Sequence, residues 1–181
     1  LSEILEINET LVRKDMADLK IRGKQNQGYN INALRERIEQ FHGLEEITEA
    51  IVVGAGHLGI ALANYSGFAN YGLKIVAVLD NDPEKIGTKA GAYEISSVSR
   101  LASIIQRKKV KLIIITVPKQ VAQEVADTAV RAGAIALWNF TPRELTVPAG
   151  VKVRNEQLIG GFMALSYYLK YASSTAEENG E

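Results

Sequence analysis

The chain has 181 residues, room for one good-sized domain and a small appendage, and 46% of it is hydrophobic, so a real core can be buried. Its 21 basic and 21 acidic residues cancel, which argues mildly against a nucleic-acid binder unless the charge is local. Cysteine is absent, excluding disulfides, thiolate metal sites and a thiol switch; no apolar run approaches a membrane span and no signal peptide opens the chain, so a soluble cytoplasmic protein is expected.

Residues 1–43 read as helices alone. Leu1, Ile4, Leu5 and Ile7 mark the end of one helix. Asn8 is a good N-cap for a second, which carries Leu11, Val12, Met16 and Leu19 at helical spacing. The stretch "RGKQNQGYN" breaks that pattern, and a further helix runs from Ile31 to Phe41, ended by His42-Gly43.

From Ile47 strands alternate with helices, which implies a parallel sheet. "ITEAIVV" (47–53) predicts the first strand and His57 to Tyr71 the helix behind it. "LKIVAVLD" is the second strand. A short strand at Tyr93 to Ile95 precedes a helix through Ile104 and Ile105. "KLIIITVP" reads as a buried strand, "KQVAQEVADTAVRAG" as an amphipathic helix and "IALWNF" as another strand. A minor strand at Val151 to Val153 leads into a helix from Glu156 to Tyr171, and a polar tail, 172–181, is expected to be disordered.

The chemistry-bearing stretch is "IVVGAGHLGIALANY", with Gly54, Gly56 and Gly59 at the G-x-G-x-x-G spacing. Gly54 permits a tight turn, Gly56 lets the backbone approach a pyrophosphate, and Gly59 lets helix and strand pack closely. The plain alternative is a glycine turn needed only for packing. Context decides against it: a strand precedes the loop, a helix follows, and Asp80 ends the next strand 21 residues beyond Gly59. That carboxylate suits both ribose hydroxyls and would repel a 2′-phosphate, favouring NAD(H). Asp82 competes with it, but Asp82-Pro83 reads better as an N-cap and first helical position. Thr116-Val117-Pro118 end a strand on the same edge, and Ala55, His57 and Leu58 complete the loop, so these are the candidate cofactor residues.

Catalytic equipment is thin. His57 lies inside the loop and His42 in the linker, neither well placed as a general acid, and no Tyr is followed four residues later by Lys. In the appendage, Arg13, Lys14, Lys20, Arg22 and Lys24 face only Asp15 and Asp18. A helix, a turn and a second helix with Arg near its start is the helix-turn-helix layout, and "RGKQNQGYN" suits the hairpin of a winged helix. On charge alone an ordinary solvated face is the better reading, because residues 1–43 carry seven basic and seven acidic residues.

The combination resembles the redox-sensing transcriptional repressors of the Rex family. The resemblance rests on "LVRKDM", "GYNI", "VGAGHLG", "LDNDPEKIG", "TVPKQVAQEVAD" and "WNFTPREL" in the family's order, and it covers nearly the whole chain. It implies a homodimeric repressor that binds operator double-stranded DNA, reads the NADH/NAD+ ratio and releases DNA when NADH rises. It makes Arg13 and Lys14 candidates for base and phosphate contacts, with Lys24 and Tyr29 around the wing. It places Gly54 to Gly59 on the pyrophosphate and Asp80 on the adenosine ribose. It implies that the helix from Glu156 to Tyr171 is exchanged between subunits, and that the family's first DNA-domain helix lies before Leu1. The expected layout is a truncated winged-helix domain (1–43), a Rossmann-like α/β domain (44–155), a dimerisation helix (156–171) and the tail. Two positions depart from the family: a tyrosine and an aspartate of its redox switch are held by Ser96 and Gln157. The alternative is a small NAD(P)- or CoA-binding protein or oxidoreductase of the same superfamily, with turnover of bound NADH as its mark.

Overall fold

The computed structural model describes residues 6–21, 28–41, 43 and 46–177, without the side chains of Leu158 and 171–177. Two compact units emerge: Leu1–Ile47 with Asn70–Gly72, and Thr48–Ala69 with Leu73–Glu181.

In the first unit, helix α1 (Glu9–Asp18) starts where Asn8 Oδ1 accepts the Thr10 N–H at 2.8 Å. Its single buried side chain is Met16. Helix α2 (Ile31–Phe41) is opened the same way, Asn30 Oδ1 accepting the Ala33 N–H at 3.1 Å. Arg37 donates from Nε to Leu19 O at 3.1 Å, tying the two helices together. The helix end expected around Leu1 to Leu5, the segment from Arg22 to Gln27, and His42 lie outside the described residues.

The second unit is a seven-stranded sheet. Its strands are β1 (Thr48–Val53), β2 (Leu73–Asp80), β3 (Lys89–Ala90), β4 (Tyr93–Ser97), β5 (Leu112–Ile115), β6 (Ala136–Asn139) and β7 (Lys152–Asn155), in spatial order β3-β4-β2-β1-β5-β6-β7. All pairings are parallel except β3 with β4. The parallel strands thus follow the doubly wound order that reverses between β1 and β5. Helices α3 (His57–Ala63), α4 (Leu101–Lys108) and α5 (Ala122–Ala132) connect them, and α6 (Leu158–Glu177) follows β7.

Both faces of β1 are buried, which is why "AIVV" is continuous rather than alternating. Ile51 and Val53 join Leu79, Ile113 and Ile115 under α4 and α5. Ala50 and Val52 join Ile75, Val78, Ile95 and Ile114 on the opposite face. Each fully buried isoleucine or leucine contributes about 1.5–3 kcal/mol of transfer free energy, so the sheet centre anchors the loops at its carboxyl edge.

Three expectations need correcting. The helix behind the glycine loop ends at Ala63, and 3-10 turns cover Ser66–Tyr71. Asn64 stops it: its Nδ2 donates to Ile60 O at 2.9 Å and to Ala90 O at 3.2 Å, so the side chain competes for the helix end. Helix α6 begins at Leu158 rather than Glu156, and it continues to Glu177, past the Tyr171 end read from the sequence. No Gly or Pro interrupts Ala172 to Glu177, and a helix already nucleated extends cheaply through such residues. Residues 178–181 lie outside the description. Asp82 caps only a single turn, its Oδ1 accepting the Glu84 N–H at 3.0 Å.

Candidate functional site

The carboxyl ends of β1, β2, β4 and β5 gather the candidate residues. Gly54 leaves β1 at φ +105°, a conformation that favours glycine. A Cβ there would lie 2.7 Å from the carbonyl carbon and oxygen of Thr116. A Cβ on Gly59 would run into the Gly54 carbonyl and sit 2.7 Å from Thr116 Oγ1. Loop, helix and the β5–α5 connection therefore close on one another with no side chain between. Gly56 differs: a Cβ there would meet only open space. Gly56, His57 and Leu58 are exposed, while Gly54, Ala55 and Gly59 are buried.

Thr116 turns its hydroxyl inward, donating toward Val53 O at 3.0 Å and Gly54 O at 2.8 Å. It holds the loop in place rather than facing outward.

Asp80 is only 7% exposed. Its Oδ2 accepts the Ala55 N–H at 2.6 Å, its Oδ1 accepts the Asp82 N–H at 2.9 Å, and Lys85 Nζ stands 3.5 Å from Oδ2. Burial opposes the charge, but the N–H groups of Asp82 and Ala55, the Lys85 ammonium and the Asn81 N–H outweigh it, and the carboxyl is held below its ordinary value. An ionised acid thus stands against the glycine loop.

A cleft of about 440 Å³ opens there, lined by Gly54, Asp80, Val98, Leu101, Val117 and Pro118 among others. It joins Gly54, Asp80, Val117 and Pro118, which are far apart in the chain. Its wall also includes Ser99, Val121, Val125 and Thr128, which the sequence reading missed. Val98 and Ser99 could have been found, since any residue just past a parallel strand lies on this edge. Val125 and Thr128 could not, because their helical spacing reads as core.

Asn139, fully buried at the end of β6, explains the string "NFTP". Its Nδ2 donates to Arg143 O at 2.7 Å and Asn155 Oδ1 at 2.8 Å, and its Oδ1 accepts from Thr141 N at 3.0 Å and Thr141 Oγ1 at 2.8 Å. All four partners are satisfied, which ties the loop after β6 to the end of β7. Beside it, Trp138 Nε1 and Arg154 Nε each donate to Glu156 at 3.1 Å, and these bonds, Trp138 first, lower the Glu156 carboxyl from its ordinary value.

Of the residues implicated in DNA contact, Arg13 and Lys14 are exposed on α1, with Arg13 NH2 donating to Glu9 at 2.6 Å. Tyr29 is partly exposed beside Gly28, which has φ +73°. Lys24 lies outside the described residues. Ser96 lies within β4, where Arg100 donates to its hydroxyl at 3.4 Å, and Gln157 is exposed just before α6. On α6, Phe162, Met163 and Leu165 are each more than 60% exposed. No helix among the described residues is long and apolar enough to cross a membrane.

A glycine loop packed on its own helix, an acid at the end of β2 and a cleft where the strand order reverses define a Rossmann-like nucleotide-binding domain. Comparison with known proteins narrows this. The family model described as CoA binding domain matches residues 45–143. The redox-sensing transcriptional repressor Rex of Clostridioides difficile is 38% identical over 170 residues, 94% of this chain and 81% of that protein. The protein of the same name from Treponema denticola is 39% identical over 165 residues, 91% and 79% of the two chains. Among solved structures, RSP in complex with β-NAD+ and operator DNA matches with a TM-score of 0.90 at 33% identity, covering 99% of this chain and 83% of that one. RSP, a Rex-family repressor, in complex with β-NADH matches with a TM-score of 0.86 at 31% identity, covering 98% and 83%.

The chain belongs to the Rex family of redox-sensing transcriptional repressors. It is a repressor and not an enzyme, with N-terminal helices that fit a winged-helix domain ahead of the Rossmann-like domain. The oxidoreductase alternative is not favoured, because the relatives matched over most of the chain are repressors.

Proposed function

We propose that this repressor holds NAD(H) in the carboxyl-edge cleft and converts its redox state into a change in operator binding. Gly54, Ala55, Gly56, His57, Leu58 and Gly59 carry the pyrophosphate. Asp80 accepts from the adenosine ribose hydroxyls, and Thr116, Val117 and Pro118 supply the facing strand end. The observation that carries this reading is the buried Asp80 carboxylate beside the glycine loop at the mouth of the 440 Å³ cleft. RSP, from the same family, has been crystallised with β-NAD+ and operator DNA together and also with β-NADH.

On the DNA side, Arg13 contacts a base, Lys14 a phosphate, and Lys24 and Tyr29 act around the wing. Arg13 must exchange its Glu9 partner for a base edge, an easy exchange for an exposed pair. Helix α6 is exchanged between the subunits of a homodimer, which covers its exposed apolar side chains. The cytoplasm, where operator DNA and NAD(H) meet, is the place of action.

Operator mobility shifts, with NADH varied at fixed total nucleotide, test the reading. NADH is expected to weaken operator binding, but with blunted discrimination from NAD+, because Ser96 and Gln157 lack the reach and charge of a tyrosine–aspartate pair. No response to either nucleotide would overturn the sensing role. A steep release by NADH with NAD+ inert would overturn the reading of those two positions. In the same assay Arg13→Ala should cost about 1–3 kcal/mol and relax specificity at one base pair. Lys24→Ala should weaken all sequences alike and lower the salt slope by about 1.

A further inference from the structure

Lys85 has been described so far only as a partner that helps keep Asp80 ionised. The turn after β2 aims it: Asp82 Oδ1 accepts the Glu84 N–H at 3.0 Å, and the Lys85 and Ile86 N–H groups both close on Asp82 O at 3.1 Å. This one-turn cap brings Lys85 Nζ back over the end of β2, 3.5 Å from Asp80 Oδ2 and 3.6 Å from Asp82 Oδ2. The Lys85 side chain is 41% exposed while that of Asp80 is 8% exposed, so the ammonium sits on the solvent side of the carboxylate.

That placement matters at one atom of the ligand. The ribose 2′-hydroxyl that Asp80 accepts from is the atom that carries the extra phosphate in NADP(H). A phosphate there meets a carboxylate, which repels it, and an ammonium within a few ångströms, which attracts it. At such separations the two Coulomb energies are of the same order, so the outcome is a difference and not a property of either residue. Sites that accept a 2′-phosphate do so with a cation near this position.

We propose that Lys85 is a specificity-determining residue: Asp80 excludes a 2′-phosphate, Lys85 partly offsets the exclusion, and the pair together sets the preference for NAD(H) over NADP(H). The inference rests on the assignment of the cleft to NAD(H). Without Asp80, Lys85 becomes a 2′-phosphate ligand with Asp82 as its remaining carboxylate partner.

Titrations of the whole chain with NADH and NADPH, followed by nicotinamide fluorescence, test it in five proteins: unaltered, Lys85→Met, Asp80→Asn, and Asp80→Asn combined with either Lys85→Met or Lys85→Arg. Asp80→Asn should strengthen NADPH binding by about tenfold, and adding Lys85→Met should abolish that gain, each step being the size of one charge-assisted hydrogen bond. Lys85→Met alone should weaken NADPH binding several-fold more than NADH binding, widening the preference for NADH. Lys85→Arg, keeping the charge, should retain the Asp80→Asn gain. Equal weakening of both nucleotides by Lys85→Met would make Lys85 only a clamp on Asp80 and overturn the proposal. So would an Asp80→Asn gain that survives loss of Lys85. If the unaltered protein binds neither nucleotide, the cofactor assignment itself fails, a result distinct from either of those.

Discussion

The carboxyl edge of the sheet and helix α6 belong to the same compact unit, yet they relate to their surroundings in opposite ways. At the edge, groups that would be costly to bury find partners within the chain. Asp80 takes N–H groups from Ala55 and Asp82, Thr116 holds the Gly54 carbonyl, and Asn139 satisfies all its bonds. On α6, Phe162, Met163 and Leu165 lie more than 60% exposed, although a helix this apolar would ordinarily bury a broad stripe. The edge is organised before any ligand arrives; α6 leaves these apolar side chains exposed, the face that the proposed subunit exchange would cover. On the proposed reading, the contrast separates sensing at the edge from assembly through α6.

The largest expected effect breaks the comparison at α6. Deleting residues 156–181 should give a poorly soluble monomer, measured by sedimentation velocity, and Leu165→Glu should dissociate the dimer without unfolding the sheet domain. A well-behaved monomer that still binds NADH after the deletion is expected only if α6 is not exchanged.

Glycine substitutions sharpen the other side. Gly59→Ala forces a methyl onto the Gly54 carbonyl and should cost about 1–3 kcal/mol in thermal or urea unfolding, together with cofactor binding. Gly56→Ala meets open space, so stability should change by less than about 1 kcal/mol while NADH affinity falls. Equal loss of stability in both variants would mean that the outer loop is fixed by packing as well.

The smallest effect is acid sensitivity. Because the Asp80 carboxyl is held below its ordinary value of 3.8, its ionised form favours the folded state. That contribution is complete above the ordinary value and is lost as pH falls through the lowered one. Asp80→Asn should therefore lower stability at neutral pH and flatten the acid side of the stability curve, read by urea unfolding at several pH values.

Much of the candidate site's layout was legible before the fold. Gly54, Gly59 and Asp80 could be assigned because strand, turn and helix force a spacing between them. The extent of α3 was not legible, since it depends on Asn64 reaching Ala90, a partner distant in the chain. Val125 and Thr128 were hidden for the same reason: helical spacing marks an inward face but not the cleft that face borders. The inward turn of Thr116 was hidden too, because a threonine after a strand reads equally as ligand contact or loop support.

Local order in this protein follows from the sequence alone: the apolar run of β1, the glycine spacing, the caps at Asn8 and Asp82, and the motif series that marks the family. Those features need only backbone geometry and neighbours a few residues away. Tertiary structure decided the rest. The order β4-β2-β1-β5 brought Asp80, Gly54 and Val117 to one cleft, a one-turn cap set Lys85 over Asp80, and the same packing left Phe162, Met163 and Leu165 of α6 exposed. Such outcomes depend on which distant surfaces meet, and the free energy of burying them is settled only when the whole sheet has formed.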